Sequence, residues 1–315
     1  MPDTIVIGTR GSKLALWQSN WIAQQLSQAH PRLKVSLEII KTKGDKILDV
    51  PLAQVGGKAL FVKEIEEAML NGKVDLAVHS MKDMPSELPP GLKIGAIPKR
   101  EVTSDVLISR SGLTFEQLPE GAVIGTSSLR REAQLRHARQ DINIIPLRGN
   151  LDTRLGKLDS GSQGLDAIVL AAAGVKRLGL EARITEYLNN DIMLPAVGQG
   201  ALCIEVRRED PKVEPLIQAL EDPATRSAVT CERAFLKRLE GSCQVPIAAL
   251  ADTSSGRLAI EGLVADLNGT TVYRQQRSGP ASKAESIGTA LAEELLDRGA
   301  DRILEELKHH GQIQS

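Results

Sequence analysis

The chain has 315 residues, of which 42% are hydrophobic and 25% charged, and its formal net charge is -1. This length favours two or three domains. The balanced charge argues against a general binder of nucleic acid or membrane surfaces, because such proteins usually carry a basic excess. The sequence contains no apolar run long enough to span a membrane and no secretory signal pattern, so a cytoplasmic protein is expected.

The first half of the chain alternates predicted strands and helices. Strands are predicted over residues 4–9, 35–40 and 74–78, and helices over residues 14–29 and 59–70. Arg10, Gly11 and Ser12 connect the first strand to its helix. The polar loop before the second helix contains Lys58 after two glycines, but it lacks the spacing of a phosphate-binding P-loop. A basic lid or functional loop is expected instead.

The third strand runs into the segment HSMKDMP, residues 79–85. In an open parallel sheet, groups just past the carboxyl end of a strand face the ligand crevice, so Asp83 is a candidate functional residue. A carboxylate among many cations indicates that something positive is stabilised there. The alternatives are an ion pair with Lys82 or a turn cap. His79 could be a catalytic base, although a histidine in a buried strand is more often structural.

The second half begins after the charged segment 99–103 and contains an arginine-rich stretch, residues 123–154. Its pattern predicts a strand, a polar turn, a helix, a second strand, a glycine turn and another helix begun at Asn150. Helix N-termini attract anions, and arginine binds carboxylate or phosphate in bidentate fashion. The arginines near the helix starts are therefore candidate anion ligands: Arg130, Arg131, Arg148 and Arg154. Arg136 and Arg139 are expected on a solvated helix face.

Similarities between the halves indicate a repeated domain. The sequence VIGT at residues 6–9 recurs at residues 123–126, and the strand at residues 74–78 corresponds to one at residues 165–169. Helical stretches are expected around residues 176–188. Residues 194–200 are interpreted as a second crossing between the halves, and residues 201–206 as a strand. We expect two related α/β domains facing each other across a cleft and joined by a two-stranded hinge.

The remainder predicts a small α+β third domain. A helix is expected over residues 224–240, strands over 247–251, 257–266 and 271–277, and a final helix from near Ala281. The three cysteines form neither a disulfide framework nor a zinc-ligand spacing. Cys203 and Cys231 are expected in the core. Cys243 lies in a loop beyond a helix C-terminus, where the helix dipole does not activate a thiol, so a stable covalent attachment fits it better than rapid nucleophilic turnover.

Six motifs of this sequence resemble those of the porphobilinogen deaminase family and follow the family's order. They are AQVGGKALFVK (53–63), VDLAVHSMKDMP (74–85), GTSSLRR (125–131), LRGNLDTRL (147–155), LPAVGQG (194–200) and LEGSCQVP (239–246). The resemblance implies a transferase that condenses four porphobilinogen molecules head to tail, with loss of ammonia, onto a dipyrromethane primer. It further implies that a thioether joins this cofactor to Cys243, and that the linear tetrapyrrole hydroxymethylbilane is released by hydrolysis.

The resemblance also implies roles for individual residues. Asp83 matches the family's catalytic aspartate. The positions that match cofactor ligands are Ser12, Lys82, Thr126, Ser128, Arg130, Arg131 and Arg154. The positions that match substrate ligands are Arg10, Lys58, Phe61 and Arg148. One departure is Gln54, where many members have a lysine, and this puts a contact from that position in doubt.

The resemblance predicts two periplasmic-binding-protein-like (type II) α/β domains and an α+β C-terminal domain. We expect domain 1 over residues 1–98 with 200–218, domain 2 over 99–199 and domain 3 over 219–315. A monomer is expected that passes its product to the next enzyme of tetrapyrrole synthesis. The competing hypothesis is a non-catalytic two-lobed anion- or solute-binding protein, since fold alone does not separate the two. Such a protein would have no use for Cys243.

Overall fold

The computed structural model describes residues 4–42, 62–240, 245–253 and 256–309. Its strands are β1 (Thr4–Thr9), β2 (Lys34–Ile39), β3 (Leu76–Ser80), β4 (Leu92–Ala96), β5 (Asp105–Ser109), β6 (Val123–Gly125), β7 (Asn143–Ile145), β8 (Ala167–Ala171), β9 (Glu186–Tyr187), β10 (Leu202–Arg207), β11 (Ile247–Asp252), β12 (Leu258–Ala265) and β13 (Val272–Gly279). Its helices are α1 (Lys13–Ala29), α2 (Lys63–Leu70), α3 (Leu129–Ala138), α4 (Leu151–Asp159), α5 (Ala172–Arg177), α6 (Glu214–Ile217), α7 (Pro223–Arg238), α8 (Ala284–Leu295) and α9 (Asp301–His309). The predictions made for Gln54, Lys58, Phe61 and Cys243 fall outside the described residues.

The chain divides into two compact units. The first contains Met1–Glu101 and Gly200–Arg226, and the second contains Val102–Gln199 and Ser227–Ser315. The chain therefore passes between the units after Glu101, after Gln199 and after Arg226. The predicted division of the rest of the chain into domain 2 (99–199) and domain 3 (219–315) remains a prediction.

The first unit is built on a five-stranded sheet with the order β2-β1-β3-β10-β4. β1 pairs in parallel with β2 and β3, whereas β10 is antiparallel to β3 and β4. Ile22 and Leu26 of α1 join one apolar cluster of the sheet, and Ile65 and Met69 of α2 join another. Because helices supply both clusters, the central strand β3 is buried over its first four residues, as expected of a strand covered on both faces.

The second unit repeats this arrangement in the sheet β7-β6-β8-β5-β9. β6 pairs in parallel with β7 and β8, and β5 is antiparallel to β8 and β9. β6 therefore occupies the position of β1, and β5 occupies the position of β10. In each unit the strand that is antiparallel to both its neighbours comes directly after a passage of the chain between the units. β5 follows the passage after Glu101, and β10 follows the passage after Gln199.

Matching contacts confirm that the two sheets are repeats. The backbone N–H of Val6 donates to Asp75 Oδ2 at 2.8 Å, and that of Val123 donates to Asp166 Oδ2 at 2.9 Å. A Cβ atom added to Gly8 would lie 3.0 Å from a methyl carbon of Val74, and one added to Gly125 would lie 2.8 Å from a methyl carbon of Leu165. The glycine of each VIGT motif thus permits close packing against a residue just before the neighbouring strand. These are the two α/β domains that the sequence predicts.

A separate three-stranded antiparallel sheet, β11-β12-β13, lies within the second unit. α7 and α8 share its apolar core, in which Cys231, Phe235 and Leu291 are fully buried. A Cβ atom added to Gly262 in β12 would lie 2.7 Å from the Phe235 ring, so this strand needs a glycine where the ring packs. The small α+β part of the fold is therefore present as predicted.

Three strands were not predicted. β4 contains Gly95, where an added Cβ would lie 2.4 Å from Ile217 of α6. The close packing against α6 requires a glycine at this position, so the strand lacks a β-branched residue there that would have indicated it. β5 follows directly on the charged crossing. β9 lies inside the stretch expected to be helical, residues 176–188, and is a two-residue pairing with the edge of β5. Among the described helices, none is long and apolar enough to span a bilayer.

Candidate active site

The predicted site residues of the first unit lie at one edge of its sheet. β1 and β3 are parallel neighbours, so the segments that follow them, containing Arg10 and Ser12 in one case and Lys82 and Asp83 in the other, leave the sheet side by side. Gln18 of α1 is buried and donates from Nε2 to the Ser80 hydroxyl at 2.9 Å. This contact ties the start of α1 to the end of β3.

Asp83 is exposed, although its neighbours are not. Residues Met81–Asp83 form one 3-10 turn directly after β3, and Met81 and Met84 are buried on either side. The Met81 N–H donates to the carbonyl of Ala201 at 3.0 Å and extends the pairing of β3 with β10. Within the described part of the chain Asp83 forms no ion pair with Lys82 and caps no turn. The fold therefore presents an exposed carboxylate on a turn held by two buried methionines.

Ser12 begins α1 in a conventional manner. Its side chain accepts a hydrogen bond from the Ala15 N–H at 3.3 Å, which satisfies one unpaired donor of the first helical turn. The buried Thr9 accepts a hydrogen bond of 2.7 Å from the Ser19 hydroxyl and fixes the same turn from within. Arg10 lies between them and is half-buried.

The predicted site residues of the second unit occupy the matching sheet edge. Thr126 and Ser128 follow β6, Arg148 follows β7, and Arg154 lies in the first turn of α4. The Ser127 hydroxyl donates to the carbonyl of Leu147 at 3.0 Å and joins the two loops. Arg154 Nε donates to the carbonyl of Gly149 at 2.9 Å, where the glycine has φ +112°. A glycine is needed there because a side chain would be strained at this φ value.

Helix α3 begins differently from α1 and α4. Ser128 occupies its N-cap position, but its side chain accepts no hydrogen bond from the helix. In α4 the side chain of Asn150 accepts from the Thr153 N–H at 2.9 Å. The start of α3 therefore retains N–H donors without a side-chain cap, and these favour a negative charge nearby.

Arg130 and Arg131, in the first turn of α3, are both buried and share the carboxylate of Asp105. Arg131 donates from Nε at 2.9 Å and from Nη2 at 2.7 Å to Asp105 Oδ1, and from Nη1 at 2.9 Å to the carbonyl of Val169. Arg130 Nη1 lies 2.8 Å from Asp105 Oδ2 as an ion pair without hydrogen-bond geometry. Burial lowers the pKa of Arg131, Asp105 opposes this shift, and the positive charge of Arg130 adds to it.

The contacts of Arg130 all use one nitrogen. Nη1 also donates to the carbonyl of Leu194 at 2.8 Å and to the Met193 sulfur at 3.4 Å. Among the described residues nothing engages its Nε and Nη2 atoms, which form the edge that binds carboxylates in bidentate fashion. Since the described residues give these two guanidinium groups one carboxylate, Asp105, the cluster keeps an excess positive charge.

Asp105 is the residue that the sequence analysis missed. It is fully buried at the start of β5, and a single aspartate before an apolar strand gives no indication of a partner 25 or 26 positions further along the chain. A charged residue placed directly before buried apolar residues was the available signal, because an unpaired carboxylate is rarely buried.

The two arginines expected on a solvated face have specific partners. Arg136 contacts Glu132 one turn earlier at 3.1 Å. Arg139 pairs with Asp141 and donates to the carbonyls of Phe115 at 2.8 Å and Leu118 at 2.9 Å. The guanidinium of Arg139 lowers the pKa of Asp141. Arg139 thus holds a loop in place, and neither side chain belongs to the cluster of Arg130 and Arg131.

The two described cysteines are buried and unsuited to covalent chemistry. Cys203 in β10 and Cys231 in α7 both have no exposed surface, as predicted. Burial, with a smaller contribution from Glu232, raises the pKa of Cys231 to about 12. Because the thiolate is the reactive form, Cys231 is inert at neutral pH.

His79 is a buried, hydrogen-bonded residue. Its Nε2 lies 3.0 Å from Glu205 Oε2 in the neighbouring strand β10, and both side chains are almost completely buried. Of the two hypotheses for His79, the structural role agrees with this geometry.

Two family models match the chain. The model described as "Porphobilinogen deaminase, dipyromethane cofactor binding domain" matches residues 5–215, and "Porphobilinogen deaminase, C-terminal domain" matches residues 227–297. A porphobilinogen deaminase of Syntrophotalea carbinolica is 57% identical over 298 residues, which are 95% of this chain and 94% of the relative. Those of Carboxydothermus hydrogenoformans and Pelobacter propionicus are 52% and 53% identical over 308 and 306 residues, covering 98% and 97% of this chain and 98% of each relative. The chain belongs to the porphobilinogen deaminase family.

Proposed function

We propose that this chain condenses four porphobilinogen molecules head to tail, with loss of ammonia, and releases the linear tetrapyrrole hydroxymethylbilane. The structural observation that carries the proposal is the buried pair Arg130 and Arg131, which has one carboxylate partner among the described residues and an unused donor edge on Arg130. A site of this kind fits a ligand that carries carboxylates. Pyrrole units of this chemistry carry an acetate and a propionate each.

The charge of the product chain explains why several arginines are needed. Two bare carboxylates about 6 Å apart at an effective dielectric constant of about 20 repel each other by roughly 3 kcal/mol. Each added pyrrole unit therefore needs counter-charges. We assign Arg130, Arg131, Arg154, Lys82 and the hydroxyls of Ser12, Thr126 and Ser128 to the cofactor. We assign Arg10, Arg148, Lys58 and Phe61 to the incoming substrate.

Asp83 is proposed to stabilise positive charge. When ammonia leaves porphobilinogen, the remaining pyrrole bears a positive charge that its ring nitrogen shares. A carboxylate accepts a hydrogen bond from the pyrrole N–H and stabilises this charge most where it develops. The exposed position of Asp83 on a turn anchored by Met81 and Met84 leaves its oxygens available for that contact.

The residues of the second unit fit a dipyrromethane cofactor. When bound, this group supplies the pyrrole end to which the first substrate is joined. The uncapped start of α3 and the excess positive charge beside Asp105 suit its carboxylates. We propose Cys243 as the point of attachment, since both described cysteines are buried. We further propose a cytoplasmic monomer that passes its product to the next enzyme of tetrapyrrole synthesis.

The intact mass of the purified protein tests this proposal. We expect an excess equal to two linked pyrrole units in the parent chain and in a Cys231→Ala control, and no excess in Cys243→Ser. Cys231→Ala is a matched control because it removes a thiol that is buried and protonated. An unmodified parent that stays unmodified after incubation with porphobilinogen would favour a two-lobed anion-binding protein instead.

A further inference from the structure

A second cluster of ionisable groups lies inside the first unit, and the proposed reaction does not use it. It consists of Glu66 in α2, His79 in β3 and Glu205 in β10, which are 4%, 6% and 0% exposed. His79 Nε2 lies 3.0 Å from Glu205 Oε2. The cluster therefore combines two glutamate side chains and one histidine side chain from α2, β3 and β10.

Two oxygen atoms of this cluster lack partners. Glu66 Oε1 and Glu205 Oε1 are buried and have no hydrogen bond within the described part of the chain. Ionised carboxylates only accept hydrogen bonds, and a buried acceptor without a hydrogen bond costs free energy of folding. Burial, followed by the negative charge of Glu205, raises the pKa of Glu66 to about 7, although His79 opposes the shift. A proton on Glu66 removes one of the two buried charges.

The charges on the surrounding elements do not neutralise Glu66. On α2 itself, Glu67 raises the pKa further, while Lys63 is exposed and Glu64 is half-buried. On β10, Arg207 is bound to Asp210 at 2.7 Å, with Asp75 at 3.6 Å, and donates to the carbonyls of Met69 and Val74.

The remaining neighbouring elements offer no cation either. On β4, Lys93 pairs with Glu214 at 2.6 Å. β1 carries no ionisable side chain, and Lys13 of α1 is exposed. Among the described residues no lysine or arginine forms a salt bridge with Glu66 or Glu205. Within the described residues, the charges that act on Glu66 are therefore those of Glu205, His79 and Glu67.

The cluster is linked to Asp83 through the strand pairing. His79 pairs with Cys203 and Ser80 pairs with Leu202, and the Met81 N–H continues this ladder to Ala201. The pairing of β10 with β4 is irregular between Ile204 and Glu205. The side-chain contact between His79 and Glu205 joins β3 to β10 directly beside this irregularity and four residues before Asp83.

We propose that Glu66 carries a proton below neutral pH and loses it above, and that Glu66, His79 and Glu205 together are positioning residues for Asp83. The neutral Glu66 lets α2 pack against the pair formed by His79 and Glu205, and that pair holds β3 on β10. Loss of the proton places a second negative charge beside Glu205 and loosens this part of the sheet. The positioning role rests on the proposed function of Asp83, whereas the protonation of Glu66 does not.

The protonation is tested with Glu66→Gln, which has the shape of the protonated side chain. A folded pKa above that of an unfolded glutamate gives stability that is fully present at low pH and lost as the pH rises through about 7. We expect the variant and the parent to melt together at pH 5, and the variant to melt several degrees higher at pH 8.5. Glu38→Gln, at an exposed position of β2, should show no such difference. A variant less stable than the parent at every pH would overturn the proposal.

The positioning role is tested with the loaded enzyme. The ratio of kcat for Glu66→Gln to kcat for the parent should be near one below pH 6 and rise several-fold above pH 8, with KM unchanged. Hydrogen exchange of a peptide spanning residues 76–84 should slow in the variant over the same range. A kcat ratio that is constant with pH would overturn the positioning role. A parent without turnover would sink the proposed function, while the melting comparison would still decide the protonation of Glu66.

Discussion

The neighbouring arginines of α3 differ in how their side chains are used. Arg131 directs three nitrogen atoms at Asp105 and a backbone carbonyl, so most of its donors are satisfied inside the protein. Arg130 uses one nitrogen for all its contacts within the described residues. The two side chains therefore contribute the same charge to the site but differ in what their removal exposes.

We predict that Arg130→Leu and Arg131→Leu both leave the protein without its cofactor, and that Arg131→Leu is also less stable by about 3 kcal/mol. Removal of Arg131 leaves the buried negative charge of Asp105 with Arg130 as its remaining described counter-charge, and an incompletely compensated buried charge destabilises the folded protein. Intact mass and urea unfolding measure the two effects. Arg136→Leu, which loses a half-buried pair with Glu132 outside the Asp105 cluster, should load normally. Full loading of either α3 variant would contradict the assignment.

Asp83→Asn should abolish turnover and leave both cofactor loading and stability unchanged. The amide keeps the shape of the side chain but cannot stabilise a positive charge, and the exposed position of Asp83 means that little packing is altered. Single-turnover kinetics with porphobilinogen, together with circular dichroism and intact mass, measure these properties. Near-normal turnover would remove Asp83 from its assigned role.

Some residues of the site could be predicted from the sequence, and others could not. Asp83 could be predicted because it follows a buried strand in a parallel sheet, and Arg130 and Arg131 because they begin a helix. Asp105 could not be predicted, since its partners are remote in sequence and only the sheet order brings β5 beside β8 and the start of α3. The buried Glu66 resembled an ordinary surface glutamate of an amphipathic helix.

Three helices of the site begin with residues that favour the N-cap position. Ser12 and Asn150 hydrogen bond to their own helices, whereas Ser128 does not. The N-cap side chains of α1 and α4 therefore stabilise their helices, whereas the Ser128 hydroxyl at the start of α3 is left for another partner. The sequence predicted all three helix starts, because capping residues and strand ends were evident. It did not distinguish the two uses, which depend on side-chain rotation.

We predict that Asn150→Ala lowers the free energy of unfolding by about 1 kcal/mol, as expected for loss of a cap. Ser128→Ala should change it by much less and should instead slow cofactor loading. Urea unfolding and the time course of intact mass after addition of porphobilinogen measure the two quantities. Equal losses of stability would show that Ser128 caps α3 after all.

The whole molecule repeats one sheet order in two units and adds a smaller sheet. The repeat could be predicted from VIGT and from the paired later strands, because each motif occupies an equivalent strand. The strands β4, β5 and β9 could not, because they are short, glycine-containing or adjacent to a crossing. Overall composition could not locate the site, since a net charge of -1 conceals the cluster of arginines.

At this scale, cofactor loading should raise the melting temperature. A group that binds the folded chain but not the unfolded one stabilises the folded state. Cys243→Ser is therefore expected to melt several degrees below the loaded parent and to show no gain on incubation with porphobilinogen. Differential scanning calorimetry of both proteins at equal concentration provides the measurement. Identical melting curves would mean that the attached group makes few contacts with the folded protein.

The position of β10 has a consequence for synthesis of the chain. β10 lies between β3 and β4, yet more than 100 residues separate it from β4 in the sequence. After the ribosome has made the first unit's amino-terminal segment, this sheet therefore lacks the strand between β3 and β4. At ordinary elongation rates the missing strand follows only after roughly 5 to 20 seconds. During that interval the edges of β3 and β4 are unpaired. Nascent chains of this protein must be kept from aggregating until residue 207 has emerged.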